Sequence, residues 1–438
     1  MKKHMRYLLR RVLRENCLAE SRARSLIKRE KSNRRESERL QEVYLHRSLS
    51  RAVHVIPAYS SLIGKIPSKS VKQFVIDNFP IIDKTRLLSD RASFFPHDGI
   101  ARPWWSVGRT SGTSGTPVDI FRDYNSAIWE HAFHLQHWSW AGFEKNARQI
   151  VLRGDLVVPP EQDRPPYWYL DPFGRQLILS TRHINNASIG YFAAAINAYG
   201  ATQLRAYPSA AYELSRLAES HDLSLRFKSI ITGSETLFPA HRDEITRVLG
   251  GPVFDFYGMA ERVAFGGECE FGRMHIHPEY SFVEIVDSHG KPTEEEGFIV
   301  GTSFHNLAMP LIRYRLDDSA KWSRTACPCG RSYPTVERIL GRIGDTLLDL
   351  DGRPVSPTII TFAFKGVSNL ARSQVAQTER DHWEIRVVPT ASYSDQDGDM
   401  LVQNMKRLVS SRLNISLKLV PSIENLPSGK YKWISQEV

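Results

Sequence analysis

From about residue 100 to residue 320, short β-branched runs alternate with stretches of helical period, and this alternation constrains the fold more than any other feature. Residues 149–152, 229–232, 253–256 and 282–286 read as strands, with helices at 187–199, 209–221 and 240–249. Strands interleaved with helices pack as an α/β body of layered sheets. Farther on, a strand at 383–388, a helix at 398–413 and a strand at 416–420 make a small α+β unit. A helix over 45–62, stopping at Pro57, precedes the body. The chain therefore divides into a basic helical N-terminal tail (1–44), a large α/β body (45–341) and a small C-terminal domain (346–438), the last two joined through 342–345. With 438 residues, 41% of them hydrophobic, each unit can bury a core of its own.

The net charge of +10 suggests a polyanion partner, so where it sits matters. Residues 1–40 hold 14 Lys/Arg against 5 Asp/Glu, while the rest of the chain holds 44 against 43. Within this tail Leu8, Leu9, Val12, Leu13 and Leu18 recur at helical spacing, the pattern of an amphipathic basic helix. Such a helix either leans on the body or docks on an anionic membrane or an acidic partner. Nucleic acid is not expected, because no recognised binding module accompanies the charge. The longest apolar stretch, 189–201, is interrupted and shorter than the ~20 residues of a membrane helix. The N-terminus lacks the apolar core of an export signal, so a cytoplasmic location is expected.

The most informative segment is Thr110-Ser111-Gly112-Thr113-Ser114-Gly115-Thr116. Its glycines let the backbone fold around an anion, and its Ser and Thr offer hydroxyl and N–H donors to phosphate oxygens. By itself such a run is more often a flexible loop, and it lacks the lysine of a Walker loop. Context is supplied by Tyr257-Gly258-Met259-Ala260-Glu261, Ile312-Arg313-Tyr314-Arg315-Leu316-Asp317-Asp318, Gly341-Arg342-Ile343-Gly344-Asp345 and Leu426-Pro427-Ser428-Gly429-Lys430. In this order the five segments resemble the core motifs of the adenylate-forming superfamily, most closely its branch of phenylacetate-CoA ligases and CapK proteins of capsular polysaccharide biosynthesis. Tyr207-Pro208-Ser209-Ala210, Thr232-Gly233-Ser234-Glu235-Thr236-Leu237 and Thr302-Ser303-Phe304-His305-Asn306 add to the likeness, which covers about 45–434.

The resemblance implies ATP-dependent conversion of a carboxylic acid to its acyl adenylate, with release of pyrophosphate. That chemistry asks for charge neutralisation and in-line positioning rather than covalent help. The loop 110–116 would grip the departing phosphates, with Ser234, Glu235, Tyr257 and Gly258 beside the nucleotide and Asp318 accepting from the ribose hydroxyls. Glu261 would hold Mg2+, which favours one or two carboxylates alongside phosphate oxygens. Arg342 matches the interdomain arginine, and Lys430 the lysine that reaches the α-phosphate and the acid. The chain departs from the pattern at Thr116, where many relatives have lysine, at Ala260, commonly threonine, and at Gly344, where a glycine eases rotation of the small domain.

There are four cysteines, and Cys269, Cys327 and Cys329 fall near the motifs with His275 close by. Three thiolates and an imidazole make a closed structural zinc set, with His277 as the other candidate imidazole. A disulfide is disfavoured in the cytoplasm. Similar Cys-His and Cys-x-Cys-Gly segments in the branch point the same way. The acyl group then passes either to an amine, giving an amide, or to CoA, giving a thioester; the likeness to CapK tilts toward the amine. A non-catalytic scaffold is the contrasting reading, and the presence of Glu261, Asp318, Arg342 and Lys430 argues against it. The acid pocket is expected among residues of about 129–260, including Trp129, His131, Tyr207 and Phe256.

Overall fold

A computed structural model describes residues 9, 12–96, 105–109, 118–144, 147–154, 157–159, 161–340, 347–352, 354–355, 359–360, 363–364, 367, 369–423 and 433–438. Helix α1 (Cys17–Arg29) starts at Asn16, whose side-chain oxygen accepts from the N–H groups of Leu18 and Ala19, and ends on Lys28 and Arg29, cations suited to the negative end of a helix. Helix α2 (Arg34–Val55), capped by Asn33, takes the place of the helix expected over 45–62. It begins eleven residues earlier because 34–44 continue the same helix, and Pro57 opens a separate 3₁₀ turn, Pro57–Leu62.

Helix α1 packs against α3 (Tyr124–Trp140) through Ala19, Ala23 and Leu26. The leucine stripe read from the sequence is therefore not what seats this segment: Leu9, Val12, Leu13 and Leu18 are exposed. Small alanines let the two helix backbones approach with Leu26 buried beside them, whereas Leu9, Val12, Leu13 and Leu18 stay exposed. Leu8 lies outside the described residues.

Strands β1 (Ser106–Arg109) and β2 (Asp119–Arg122) form a two-stranded ribbon. The remaining strands of the body are β3 (Gln149–Arg153), β4 (Trp168–Leu170), β5 (Gln176–Ser180), β6 (Gln203–Ala206), β7 (Ser229–Gly233), β8 (Val253–Gly258), β9 (Phe265–Glu268), β10 (Met274–Ile276), β11 (Ser281–Val286), β12 (Gly297–Ser303), β13 (Tyr314–Trp322) and β14 (Thr335–Leu340). They join in one twelve-stranded sheet of order β11-β12-β13-β14-β10-β9-β8-β7-β6-β3-β5-β4.

The sheet has two halves. Strands β5, β3, β6, β7 and β8 run parallel, and α4 (Ile189–Tyr199), α5 (Pro208–Ser220) and α6 (Pro239–Leu249) make crossovers between them. Helices α5 and α6 begin with proline, and α4 and α6 end on Gly200 and Gly250 at φ 68 and 82, where only glycine is unstrained. Beyond β8 the pairings through β9, β10, β14, β13 and β12 to β11 are all antiparallel.

The C-terminal part has its own sheet and core. Strands β17 (Leu370–Glu379), β18 (His382–Pro389), β19 (Asn414–Leu419) and β20 (Ile434–Gln436) are ordered β19-β18-β17-β20, with α7 (Asp395–Leu408) crossing from β18 to β19. The two-residue strands β15 (Leu347–Leu348) and β16 (Pro354–Val355) pair beside them. Trp383, Ile385 and Val387 alternate inward along β18 and meet Leu401 and Met405 of α7. Helix α7 starts three residues earlier than the sequence suggests, at the point where the Asp397 carboxylate accepts from the Ser394 N–H at 3.0 Å. Among the described residues, no helix is long and apolar enough to cross a membrane.

Candidate active site and metal centre

Strand β8 delivers the candidate nucleotide residues where parallel pairing gives way to antiparallel. Tyr257 Oη donates to Asp318 Oδ2 of β13 at 2.6 Å, so two motif residues 61 positions apart meet. Just past the strand, Glu261 is 4% exposed, and Tyr314 Oη donates to its Oε1 at 3.4 Å. A tight turn makes this possible. Arg122 donates to the carbonyl of Ala260, and Arg262 takes a left-handed φ of 56 that costs ~1 kcal/mol or more and persists only if held. The holding contacts are Glu130, 3.4 Å from Arg262 Nε, and Ser126 Oγ, which accepts from Nη1 at 3.1 Å. Burial, with Arg262 nearby, lowers the Arg122 pKa to about 10.

Ser234 follows β7 with a φ of 73 and accepts from Arg153 Nη2 at 2.7 Å. The Glu235 carboxylate accepts from the Ser209 N–H at 3.2 Å, in the first turn of α5. Gly258 closes β8. The loop 110–116, Arg342, Gly344 and Lys430 lie outside the described residues.

Beside Phe256, a cavity of about 230 Å³ lies between α3 and the parallel strands. Of the four residues named for an acid pocket, His131, Tyr207 and Phe256 line it. Trp129 does not join them, because its ring stacks on His305 at 4.3 Å and is covered by Arg22 at 4.5 Å. The lining arginines Arg14, Arg153 and Arg205 were not anticipated.

The four candidate zinc ligands come together. Cys269 follows β9, His275 sits on β10, and Cys327 and Cys329 lie in the turn before β14; their donor atoms are all within 4.8 Å of one another. Cys269 Sγ is 3.6 Å from Cys327 Sγ, and Cys329 Sγ is 3.3 Å from His275 Nε2. Tetrahedral ligands ~2.3 Å from a metal stand ~3.7 Å apart, so the spacing suits zinc. His275 Nδ1–H, donating to the Tyr333 carbonyl at 3.1 Å, leaves Nε2 as the lone-pair nitrogen facing the sulfurs. Burial is the main reason its pKa falls to about 4, so the ring is neutral. His277, the other candidate imidazole, instead stacks on Trp140 at 5.0 Å.

Also unforeseen was a buried clasp at Glu30. Its carboxylate accepts from Trp140 Nε1 at 2.8 Å, Gln136 Nε2 at 3.1 Å and Arg331 Nε at 3.3 Å, tying the end of α1 to the turn that carries Cys327 and Cys329. These partners are 106 to 301 positions away from Glu30, and no local pattern reveals them.

A family model described as the CapK C-terminal domain matches residues 347–437. Protein CapK of Staphylococcus aureus is 24% identical over 310 residues, 69% of this chain and 66% of that protein. The phenylacetate-coenzyme A ligase of Thermus thermophilus is 28% identical over 218 residues, 46% of this chain and 48% of that protein. Residues 347–437 thus match a CapK-type C-terminal domain, and the chain is similar to protein CapK and to phenylacetate-coenzyme A ligases. The matched segments span 66% and 48% of the lengths of these two relatives. Among solved structures, a 2-hydroxyisobutyryl-CoA ligase in complex with 2-HIB-AMP and CoA aligns over 94% of this chain and 92% of that chain, with a TM-score of 0.62 and 20% identity. That likeness shows the fold: a large mixed sheet with a small C-terminal sheet domain.

Proposed function

We propose that this protein activates a carboxylic acid as its acyl adenylate and then transfers the acyl group to an acceptor. The observation that carries the reading is the pairing of Tyr257 with Asp318 at the end of β8, with the buried Glu261 just past that strand and a cavity of a size for a small acid beside Phe256. Tyr257 fixes the Asp318 carboxylate for the ribose hydroxyls, with Gly258, Ser234 and Glu235 alongside the nucleotide. Glu261 presents a buried carboxylate for Mg2+, which supplies charge neutralisation on the phosphates when bound. Loop 110–116 grips the pyrophosphate, and Lys430 with Arg342 stabilises the charge that builds as the acid attacks.

Transfer requires Lys430 to leave the site, with 342–345 as the hinge and 346–438 as the moving part. One contact that rotation must break is the donation of Arg182 Nη1 to the carbonyls of Arg407 and Leu408, at 3.0 and 2.7 Å, at the end of α7. The CapK-type C-terminal segment favours an amine acceptor, and the phenylacetate-CoA ligase relatives supply CoA as the second reading. Zinc, held by Cys269, His275, Cys327 and Cys329, is structural, since four protein ligands leave no open position. We place the protein in the cytoplasm, where these thiols stay reduced, and residues 1–40 offer a basic surface for an anionic membrane or acidic partner.

Pyrophosphate exchange over panels of aryl, fatty, amino and sugar acids tests the first step, and its absence with every acid overturns the reading. Product mass after incubation with acid, MgATP and either an amine or CoA tests the second. Exclusive thioester formation removes the amide reading and keeps the adenylate.

A further inference from the structure

Helix α1 is seated on α3 by Ala19, Ala23 and Leu26, yet four large apolar side chains at or just before its start stay in water: Leu9 is 51% exposed, Val12 63%, Leu13 47% and Leu18 47%. Single exposed leucines are ordinary on a protein surface, whereas a group of them marks a face that is covered in use. Asn16 holds the group together. Its Nδ2 donates to the Val12 carbonyl at 3.1 Å and to Tyr124 Oη at 2.9 Å, and its Oδ1 accepts from the Leu18 N–H at 3.1 Å. Tyr124 Oη donates in turn to the Val12 carbonyl at 3.2 Å. Val12, Leu18 and the exposed Tyr124 therefore stand around one side chain, tied to the starts of both helices. Turning Leu18 inward would mean rotating α1, which the Glu30 clasp at its far end and the donation of Arg22 Nη2 to Asn125 Oδ1 at 2.8 Å both resist.

Cations accompany the apolar group. Arg24 and Lys28 lie on the face of α1 opposite Ala19, Ala23 and Leu26, and both are exposed. Arg24 keeps 68% of its side chain in water even with Glu20 4.0 Å away. In the sequence, the stretch from Met1 to Arg11 carries five Lys/Arg and no Asp/Glu.

Aliphatic side chains and a tyrosine flanked by Lys and Arg suit the interface of a bilayer, where cationic stems reach headgroup phosphates while the apolar groups enter the acyl boundary. A fluid lipid surface accepts a convex helix without a matching groove. An acidic protein meets the cations but needs a groove shaped to Leu9, Val12 and Leu13, and nucleic acid offers these side chains no apolar surface. We propose that the outward face of α1 and of the segment before it docks this protein on a membrane rich in anionic lipid, with Leu9, Val12, Leu13 and Leu18 as apolar anchors. This rests on the reading of residues 1–40 as a basic surface, commits that surface to one partner, and is independent of adenylation. Arg14, next in the chain to Leu13, lines the cavity beside Phe256, so a docked chain carries that cavity close to the lipid.

The full chain is mixed with vesicles of phosphatidylcholine alone or with about one third phosphatidylglycerol, and the bound fraction is read by flotation. The expected result is binding at least ~10-fold tighter to the anionic vesicles, weakening as salt rises from ~0.05 to ~0.5 M. Val12→Ser combined with Leu13→Ser weakens binding to the anionic vesicles by ~10-fold or more, and Arg24→Gln combined with Lys28→Gln by ~10-fold. All four side chains are exposed, so both variants keep the wild-type unfolding midpoint. No binding by the wild type, equal binding to the two kinds of vesicle, or undiminished binding by the Val12 and Leu13 variant overturns the proposal. Capture by polyglutamate or by duplex DNA, but not by vesicles, assigns the cations to an acidic protein or to nucleic acid and also overturns it. Pyrophosphate exchange is measured without lipid: its absence leaves the docking surface standing, and failure to bind vesicles leaves adenylation standing.

Discussion

Asp255, two residues before Tyr257 on β8, gives a stability prediction with a definite sign. Its Oδ1 accepts from Thr232 Oγ1 at 2.6 Å, and its backbone N–H donates to Glu268 Oε2 at 2.9 Å. Burial first, and then the Glu268 carboxylate, push its pKa from 3.8 up to about 7, against the opposing effects of Thr232 and Arg242. The folded state therefore binds this proton more tightly than the unfolded chain. Below ~4 both states are protonated and the group is neutral to stability. As pH rises from ~4 to 7 the unfolded chain ionises first, stability falls, and above 7 the full penalty is present. At ~1.4 kcal/mol for each pH unit between the two pKa values, the penalty reaches ~4 kcal/mol. Asp255→Asn keeps the shape and an oxygen for Thr232 without the charge. Unfolding midpoints of the wild type and Asp255→Asn, measured by tryptophan fluorescence between pH 5 and 8.5, should diverge upward through this range. The variant is the more stable at pH 8.5, by several degrees if the full penalty is relieved. A difference that is flat with pH, or that grows toward acid, refutes the reasoning.

Lys430→Ala should leave ATP binding nearly intact and slow adenylation by at least ~100-fold, the loss expected for one transition-state electrostatic contact; an unchanged exchange rate removes Lys430 from the mechanism. The purified chain should contain one zinc atom, and Cys327→Ser should destabilise the body by several kcal/mol, because the binding free energy of such a site is folding free energy. Metal analysis showing none, with all thiols titrating freely in the native state, counts decisively against that site. Arg313→Ala should destabilise by roughly 3–5 kcal/mol, read in urea unfolding, because it strands the Glu284 carboxylate, whose oxygens accept from Arg313 Nε and Nη2 at 3.1 and 3.0 Å. Wild-type stability in this variant would show that water replaces the pair.

What the sequence revealed, and what it hid, divides along the range of the interactions. The strands at 149, 229, 253 and 282 are β-branched runs, and a continuous or alternating apolar pattern is itself the signal for burial. Strands β9 and β10 escaped because Phe265-Gly266-Gly267-Glu268 and Met274-His275-Ile276 are too short and too mixed to show a period. Strand β13 escaped because its two Asp residues, its Arg and its Lys obscure the alternation. The site followed the same rule. Tyr257, Glu261 and Asp318 stood out because each sits in a motif whose neighbours are also constrained. Arg14, Arg153 and Arg205 sit in none, and only the order of the sheet and the docking of α1 on α3 bring them together.

Helix α3 links the features that were legible to those that were not. His131, His134 and Trp138 face the cavity, while Gln136 and Trp140, farther along the same helix, donate to Glu30, and Trp140 packs with Cys269 and Cys329. Helix α1 lies along α3 with Arg14 just before its first turn and Glu30 just past its last, so its two ends reach the cavity beside Phe256 and the turn that carries Cys327 and Cys329. A helix pair fixed at one end by the clasp holds its other end in place. By joining the Arg331 turn to Glu30, the clasp therefore helps set where α1 delivers Arg14 and where α3 delivers His131 and His134.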